Sequence, residues 1–306
     1  MKKLLLHFEQ DGHASAFDQV AAYDAGVDNV LAYGGITPAT VQTQVYGAIF
    51  TRGVDDLKNT AIFIGGSDVV AAEEIFEVVQ KTFFGPMRVS VMFDANGSNT
   101  TAASAVAKIM SAVKNPAGKK AVVLAGTGPV GIRAAILLAG EGCRTYISSR
   151  QLSRSQEACD RIKAKFGVDI LPLEVRDDTG CKKALQGAAI VFCAGKLGVE
   201  LVKQETWSTN PSLEVVADVN AVKPTGAEGI KVTDDGEVRE GKTIFGAIGI
   251  GKIKMKVQHE AVASLFHRND LVLDFKEIYQ IAVKFCGALE SAFHKCTPVH
   301  SQMRET

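Results

Sequence analysis

The 306-residue chain has no dominant charge sign, no long apolar run and no cysteine framework, and each absence closes off a class of protein. Lys plus Arg equals Asp plus Glu at 34 each, so no electropositive field is available to draw a polyanion and nucleic acid is not an expected partner. No stretch approaches the roughly 20 apolar residues that a bilayer-spanning helix needs, because Gly, Lys or Asp interrupts every candidate. Membrane insertion is therefore not expected, and a cytoplasmic location is. The opening Met1 to Glu9 has the charge of a signal n-region, but its apolar run stops after three residues and no small-residue cleavage site follows; it reads as a first strand. Cys143, Cys159, Cys181, Cys193, Cys286 and Cys296 form no CxxC pair, which fits reduced thiols. No two histidines stand at metal-ligand spacing, so the six of them read as incidental and no metal is expected. There is no Ser-His-Asp set, no HExxH, no pair of catalytic carboxylates at telling spacing and no internal repeat.

What is present is ordinary globular composition, 46% hydrophobic and 22% charged, over a length that one core rarely serves. Strand-like runs at 3–8, 29–33, 60–64 and 89–93 alternate with helix-like stretches at 14–25, 37–49 and 69–83, the rhythm of a parallel α/β sheet. The rhythm breaks at Lys114-Asn-Pro-Ala-Gly-Lys-Lys120 and resumes with strands near 121–125, 144–148, 190–193 and 215–217 and helices at 129–140 and 153–166. The expected fold is α/β in two domains: an open αβ substrate domain over 1–115, completed by C-terminal helices within 260–306, and a Rossmann-like doubly wound dinucleotide domain over 116–259. Two helical stretches, 260–266 and 275–285, are expected to close back on the first domain. The polar tail from Cys296 to Thr306 carries no functional reading.

Gly126-Thr127-Gly128-Pro129-Val130-Gly131 follows one of these strands directly and opens a helix. In that context Gly126 permits the tight turn, Gly128 lets the backbone approach a pyrophosphate, and Gly131 lets helix and strand lie close. The helix N-terminus then presents free N–H groups to the phosphates. The next strand ends not in Asp or Glu but in Ser149-Arg150-Gln151, with Arg154 further on. A guanidinium at a strand end suits the 2′-phosphate of NADP, Arg150 more than Arg154, although a solvated surface arginine is the alternative. Asp218 and Asn220 end another strand and suit either ribose or nicotinamide contact or a simple turn. Lys252, Lys254 and Lys256 alternate in a way that fits either a cleft residue at Lys254 or a solvated edge.

Asp94-Ala-Asn-Gly-Ser-Asn-Thr-Thr101 packs a carboxylate, two amides and three hydroxyls behind a buried strand, where ligands of open α/β sheets bind. Together with Phe17-Asp-Gln-Val-Ala-Ala-Tyr-Asp24, Phe84-Gly-Pro86, the glycine loop, Ala217-Asp-Val-Asn-Ala221 and Phe245-Gly-Ala-Ile-Gly-Ile-Gly251, it closely resembles the methylene-tetrahydromethanopterin dehydrogenases of methylotrophic bacteria, over nearly the whole chain to about Phe285. The resemblance implies hydride transfer from the methylene bridge of a reduced pterin, methylene-tetrahydromethanopterin and in some members methylene-tetrahydrofolate, to NADP. It implies NADP on Thr127, Gly128, Pro129 and Val130, the adenosine phosphate near Arg150 and Gln151, the cofactor lined by Cys193, Ala194, Gly195 and Lys196, and Lys254 at the cleft. Cluster and placement add Phe17, Asp18, Asp94, Asn96, Asn99, Thr100 and Thr101 on the pterin side, with Lys254, Asp18 and Asp94 as candidate catalytic groups. Gln151 departs from the Lys of NADP-strict members, and Lys196 and Lys252 replace smaller residues, so some use of NAD is expected. A homo-oligomer, trimer or hexamer, is implied as well. Two other readings stay open: a shikimate-type NADP dehydrogenase, which needs a Lys and Asp pair, and a non-catalytic NADP-sensing module, against which the Asp94 to Thr101 cluster speaks.

Overall fold

In the computed structural model the described residues are 1–287; the tail from Cys296 and the rest of the expected 260–306 completion beyond 287 lie outside them. The first part of the chain runs β1 (Leu4–Phe8), α1 (Ala16–Asp24), β2 (Asn29–Tyr33), α2 (Val41–Ile49), β3 (Thr60–Ile64), α3 (Val69–Thr82), β4 (Ser90–Phe93) and α4 (Ser98–Ala112). The second runs β5 (Lys120–Leu124), α5 (Pro129–Gly140), β6 (Arg144–Ser149), α6 (Leu152–Phe166), β7 (Leu171–Glu174), α7 (Asp178–Ala184), β8 (Ala188–Cys193), α8 (Gln204–Ser208), β9 (Val215–Asp218), β10 (Asp235–Arg239) and β11 (Lys242–Phe245). Then α9 (Ala247–Ser264), β12 (Val272–Leu273) and α10 (Phe275–Cys286) follow, with β12 joining the first sheet.

The first sheet is parallel throughout in the order β12-β4-β3-β1-β2. The second has the order β10-β11-β9-β8-β5-β6-β7 and is parallel except for the β10–β11 hairpin. In each sheet the strand order turns back at the first strand of its unit: β1 lies between β2 and β3, and β5 between β6 and β8. Those are the points where the crossovers diverge and a crevice opens at the carboxyl ends of the strands.

Local sequence explains the elements. Helix α3 starts where the Asp68 side chain accepts from Val70 N and Ala71 N, and it buries Val69, Ala72, Ile75, Phe76 and Val79 along one stripe. A capping box of Asp274 and Glu277 opens α10, which buries Phe275, Ile278, Tyr279, Ala282 and Val283. One continuous core joins the two sheets through α4, α5, α9 and α10, while Leu6, Phe8, Ile62, Ile64 and Phe93 pack separately under α2 and α3. The five described cysteines are unpaired thiols, four of them buried.

Four elements and one boundary depart from the sequence-based expectation. Helix α4 was not anticipated because it is buried almost all round and built of small and hydroxyl residues, so it shows no amphipathic stripe. Residues 252–266, expected as alternating lysines followed by a short helix, belong mainly to the single helix α9; the solvated-edge reading of Lys252, Lys254 and Lys256 is thereby corrected. The boundary expected at 259/260 falls inside α9, and the chain leaves the second sheet at Phe245 instead. The edge strands β7 and β10 were missed because Pro172 and a polar Asp-Gly-Glu-Val-Arg run hide them.

Candidate active site

At the crossover of the first sheet, β1 runs on into Glu9 and Asp11, β3 into Gly65, Gly66 and Ser67, and β4 into Asp94. Of these ends, Glu9, Asp11, Gly66 and Ser67, together with Ser15, Phe17 and Asp18 at the start of α1, Asn96, Gly97, and Lys254 of α9, line a cleft of about 340 Å³. The Lys254 ammonium donates to Gln258 Oε1 at 3.2 Å, and Gln258 Nε2 donates to Asp18 Oδ1 at 2.9 Å. Residues four apart on a helix share a face, which is why α9 delivers Lys254 and Gln258 side by side. The Phe17 ring covers Lys254 with its centroid 5.1 Å from Nζ, and Phe17 is 55% exposed at the cleft mouth.

Asp94 is 1% exposed beneath this cleft. Its Oδ1 accepts from Asn99 N at 2.9 Å and Thr100 N at 3.0 Å, the free N–H groups of the first turn of α4, and its Oδ2 accepts from Thr100 Oγ1 at 2.6 Å. The carboxyl is pushed up to about 6, chiefly by burial and in small part by Asp18, against the opposing pull of Lys254 and the Thr100 hydrogen bonds.

His7 and Glu9 are a buried pair that sequence reasoning passed over. They point to the same face because side chains two apart on a strand do, and His7 Nε2 lies 2.7 Å from Glu9 Oε1. Ligating atoms of His7, Glu9 and Asp18 all lie within 4.8 Å of one another. His7 is thus a histidine whose ring is satisfied by Glu9, in keeping with the expectation that the histidines are incidental. Glu9 and Gln258 already occupy His7 and Asp18, so the trio reads as a hydrogen-bonded group of which Glu9 and Asp18 line the cleft.

The remaining pterin-side candidates divide. Asn96, exposed at φ 53, lines the cleft, and Thr101 is half-buried behind Gly97. Asn99 and Thr100 are fully buried and turned inward: Asn99 Nδ2 donates to Phe93 O at 2.6 Å and Asp274 Oδ1 at 2.8 Å, and its Oδ1 accepts from Arg133. The expectation that they contact the pterin is corrected to a supporting role, since their hydrogen-bonding groups are engaged within the protein.

In the second sheet the glycine loop sits between β5 and α5. A Cβ on Gly126 would lie 2.8 Å from Val123 O, and one on Gly131 would lie 2.6 Å from Gly126 Cα, whereas one on Gly128 would meet nothing within 4 Å. The turn is thus closed on its inner side and open on its outer side, and Thr127, Pro129 and Val130 continue along that rim into α5. This is a cradle that fits a dinucleotide diphosphate at a helix N-terminus.

Ser149, Arg150, Gln151 and Arg154 stand at the end of β6 and the start of α6, with the two arginines and Gln151 exposed. The neighbouring strand brings a carboxylate that the sequence pattern did not reveal. Glu174, opposite Ser149 in register, accepts from Leu152 N at 3.1 Å and from Arg176 at 2.8 Å. Its carboxyl is held below the usual range by Arg176 and then by the Leu152 N–H, so it is charged at neutral pH.

Cys193, Asp218 and Asn220 are corrected. The Cys193 side chain is fully buried in the core, while Ala194 and Gly195 are half-buried and Lys196 is exposed. Asp218 accepts from Asn220 N at 2.9 Å and Ala227 N at 3.1 Å. Asn220 Oδ1 accepts from Val222 N at 3.0 Å and Gly198 N at 3.3 Å, and its Nδ2 donates to Pro224 O at 3.1 Å. Both residues tie loops together, as Asp and Asn do in turns.

Two largely parallel sheets, a glycine cradle on one and a polar cleft on the other define a dinucleotide-binding α/β protein of the dehydrogenase class. Residues 16–96 match the family model for methylene-tetrahydromethanopterin dehydrogenase, N-terminal. Over 282 residues the chain is 48% identical to the bifunctional protein MdtA of Methylorubrum extorquens, covering 92% of this chain and 98% of that one. It is 31% identical over 284 residues to the NAD(P)-dependent methylenetetrahydromethanopterin dehydrogenase of the same organism, covering 90% and 96%. The chain belongs to the methylene-tetrahydromethanopterin dehydrogenase family. A solved shikimate dehydrogenase in complex with NADP+ is 13% identical, with a TM-score of 0.49 over 93% of this chain and 96% of that one. Family membership sets aside the shikimate-type and non-catalytic readings.

Proposed function

We propose that the chain oxidises the methylene bridge of a reduced pterin, methylene-tetrahydromethanopterin and also methylene-tetrahydrofolate, with NADP as acceptor and NAD as a weaker substitute. The bridge carbon loses a hydride, and the positive charge left behind is shared over N–C–N as a methenyl cation. When bound, the nicotinamide accepts that hydride at C4. Since no proton leaves the carbon, no general base is required, and the protein's part is orientation and electrostatics.

The observation that carries the reading is the charge balance of the cleft. Glu9, Asp11 and Asp18 line it, Asp94 lies beneath it, and Lys254 is the one lysine among the lining residues. A nascent cation is favoured there, whereas an oxyanion would be opposed. Lys254, held by Gln258, positions a pterin carbonyl or phosphate and does not take a proton. Phe17 and Asn96 border the pterin. Gly126, Thr127, Gly128, Pro129, Val130 and Gly131 hold the diphosphate, and Ala194 to Lys196 border the nicotinamide side. The unit on the second sheet is the dinucleotide domain and the one on the first sheet is the pterin domain.

Among the described residues no helix is long and apolar enough to cross a membrane. The proposal places the enzyme in the cytoplasm as a homo-oligomer, a trimer or hexamer, without nucleic-acid or membrane partners. The test is NADPH formation, followed by absorbance, with each pterin and each nicotinamide; no turnover with either pterin would end the reading.

Cofactor choice is set at β6 and β7. Arg150→Ala is expected to raise KM for NADP roughly tenfold or more while KM for NAD moves little, the loss of a charge-assisted phosphate contact. Glu174→Gln is expected to move the NADP value the other way, because it removes a negative charge beside the phosphate position. Equal changes with both cofactors would take these residues out of phosphate recognition.

A further inference from the structure

Arg133 lies one turn inside α5, the helix that opens at the glycine loop, and is only 5% exposed. Its guanidinium is shared among three elements. Nη1 donates to Pro129 O of the same helix at 3.2 Å, Nη2 donates to Glu73 Oε1 of α3 at 3.0 Å, and Nε donates to Asn99 Oδ1 at the start of α4. The group also lies 5.6 Å from the Phe93 ring centroid, at the end of β4. Asn99 continues the series, since its backbone N–H is held by the Asp94 carboxylate at 2.9 Å. An unbroken run of hydrogen bonds therefore links the rim of the dinucleotide cradle to the carboxylate under the pterin cleft.

Beside this run a largely apolar groove of about 660 Å³ separates α3 from α5, α6 and the start of α10. Glu73 bridges its mouth, taking Lys165 of α6 at 2.7 Å in addition to Arg133. The only direct ties that the two sides make across this mouth among the described ion pairs pass through Glu73. A buried guanidinium with a rigid fork of donors fixes direction as well as charge, which an ammonium on a flexible stem does not.

We infer that Arg133 is a positioning residue for hydride transfer: it sets the separation between the cradle and the Asp94 segment, and Glu73 holds it in register. The inference rests on the pterin dehydrogenase reading above. Arg133→Lys keeps the charge and loses the fork. It is expected to lower kcat with methylene-tetrahydromethanopterin by roughly ten- to a hundredfold, the scale of a sub-ångström to 1 Å misplacement. The dissociation constant for NADP is expected to stay within about twofold of the wild type, because the cradle itself is intact.

The deuterium isotope effect, measured with a dideuterated methylene bridge, is expected to become more steeply temperature dependent, as it does when donor and acceptor are no longer held at a fixed separation. A merely structural role would lower the amount of active enzyme and leave that dependence unchanged. Glu73→Gln, at a half-buried position, is expected to shift kcat and the isotope effect the same way by a smaller factor, and it decides the matter should Arg133→Lys not fold. Wild-type kcat in the variants, an unchanged temperature dependence, or a loss falling on NADP affinity overturns the inference. Absence of wild-type turnover strikes the dehydrogenase reading itself and takes this inference with it, whereas wild-type turnover with unaffected variants strikes this inference alone.

Discussion

Replacing Asp94 by Asn is expected to lower kcat about a hundredfold above pH 7, the usual cost of removing one preorganised electrostatic partner from a reacting centre. In the wild type, kcat/KM is expected to rise with pH through an apparent pKa of about 6, because the buried carboxyl must ionise before it can stabilise a methenyl cation. Asn preserves the acceptor for the Asn99 and Thr100 N–H groups, so α4 keeps its first turn while the charge and the step in the profile disappear. Stability supplies an independent check. The folded state binds the Asp94 proton more tightly than an unfolded chain, whose carboxyl titrates near 3.8. Between the two values the native form holds the extra proton, so stability falls as pH rises and the penalty is fully present above about 6, of order 3 kcal/mol. Asp94→Asn is expected to abolish that part of the pH dependence of unfolding. A flat activity profile between pH 5 and 8, or a step retained in the Asn variant, would remove Asp94 from the reaction.

What could be read from the sequence follows the range over which each interaction acts. The glycine loop is local: its spacing, the strand before it and the helix after it lie within a dozen residues, and the cradle is closed by neighbours such as Val123 and Gly126 themselves. The alternation of strands and helices is local too, and β3 and β5 appear in the sequence as buried runs. What a single strand of text does not show is how elements meet. Gln258 joins Asp18 across 240 residues, and Arg133 joins Glu73 across 60. Glu174 reaches the start of α6 only because β7 pairs with β6. His7 and Glu9 were within reach of a strand-alternation argument, since both fall on one face of β1 and its extension. Asp218, Asn220 and Asn99 show the reverse error: polar residues at strand and helix ends look like ligand contacts until the protein's own groups are seen to occupy them, nearby backbone for Asp218 and Asn220, and Phe93 O, Asp274 and Arg133 for Asn99.

The second large effect separates the two kinds of glycine in the cradle. Gly131→Ala is expected to be destabilising by roughly 2 to 4 kcal/mol and to weaken NADP binding at least a hundredfold, because the new methyl would sit 2.6 Å from Gly126 Cα. Backbone lies on the far side of that contact, so relief requires α5 to move away from the turn, and the helix N-terminus leaves the diphosphate position with it. Gly128→Ala is the contrast. Gly128 has φ −83 and ψ 171, which any residue adopts, and its Cβ would meet no protein atom within 4 Å. The melting temperature is therefore expected to stay close to the wild type, yet NADP affinity is expected to drop roughly tenfold or more, because the methyl fills the space through which the backbone approaches the phosphates. Calorimetric melting and NADP titration on the two variants decide the point. If Gly128→Ala binds NADP as tightly as the wild type, the outer face of the turn is not where the diphosphate lies; if Gly131→Ala retains both stability and affinity, helix α5 is not held against the turn by the absence of that side chain.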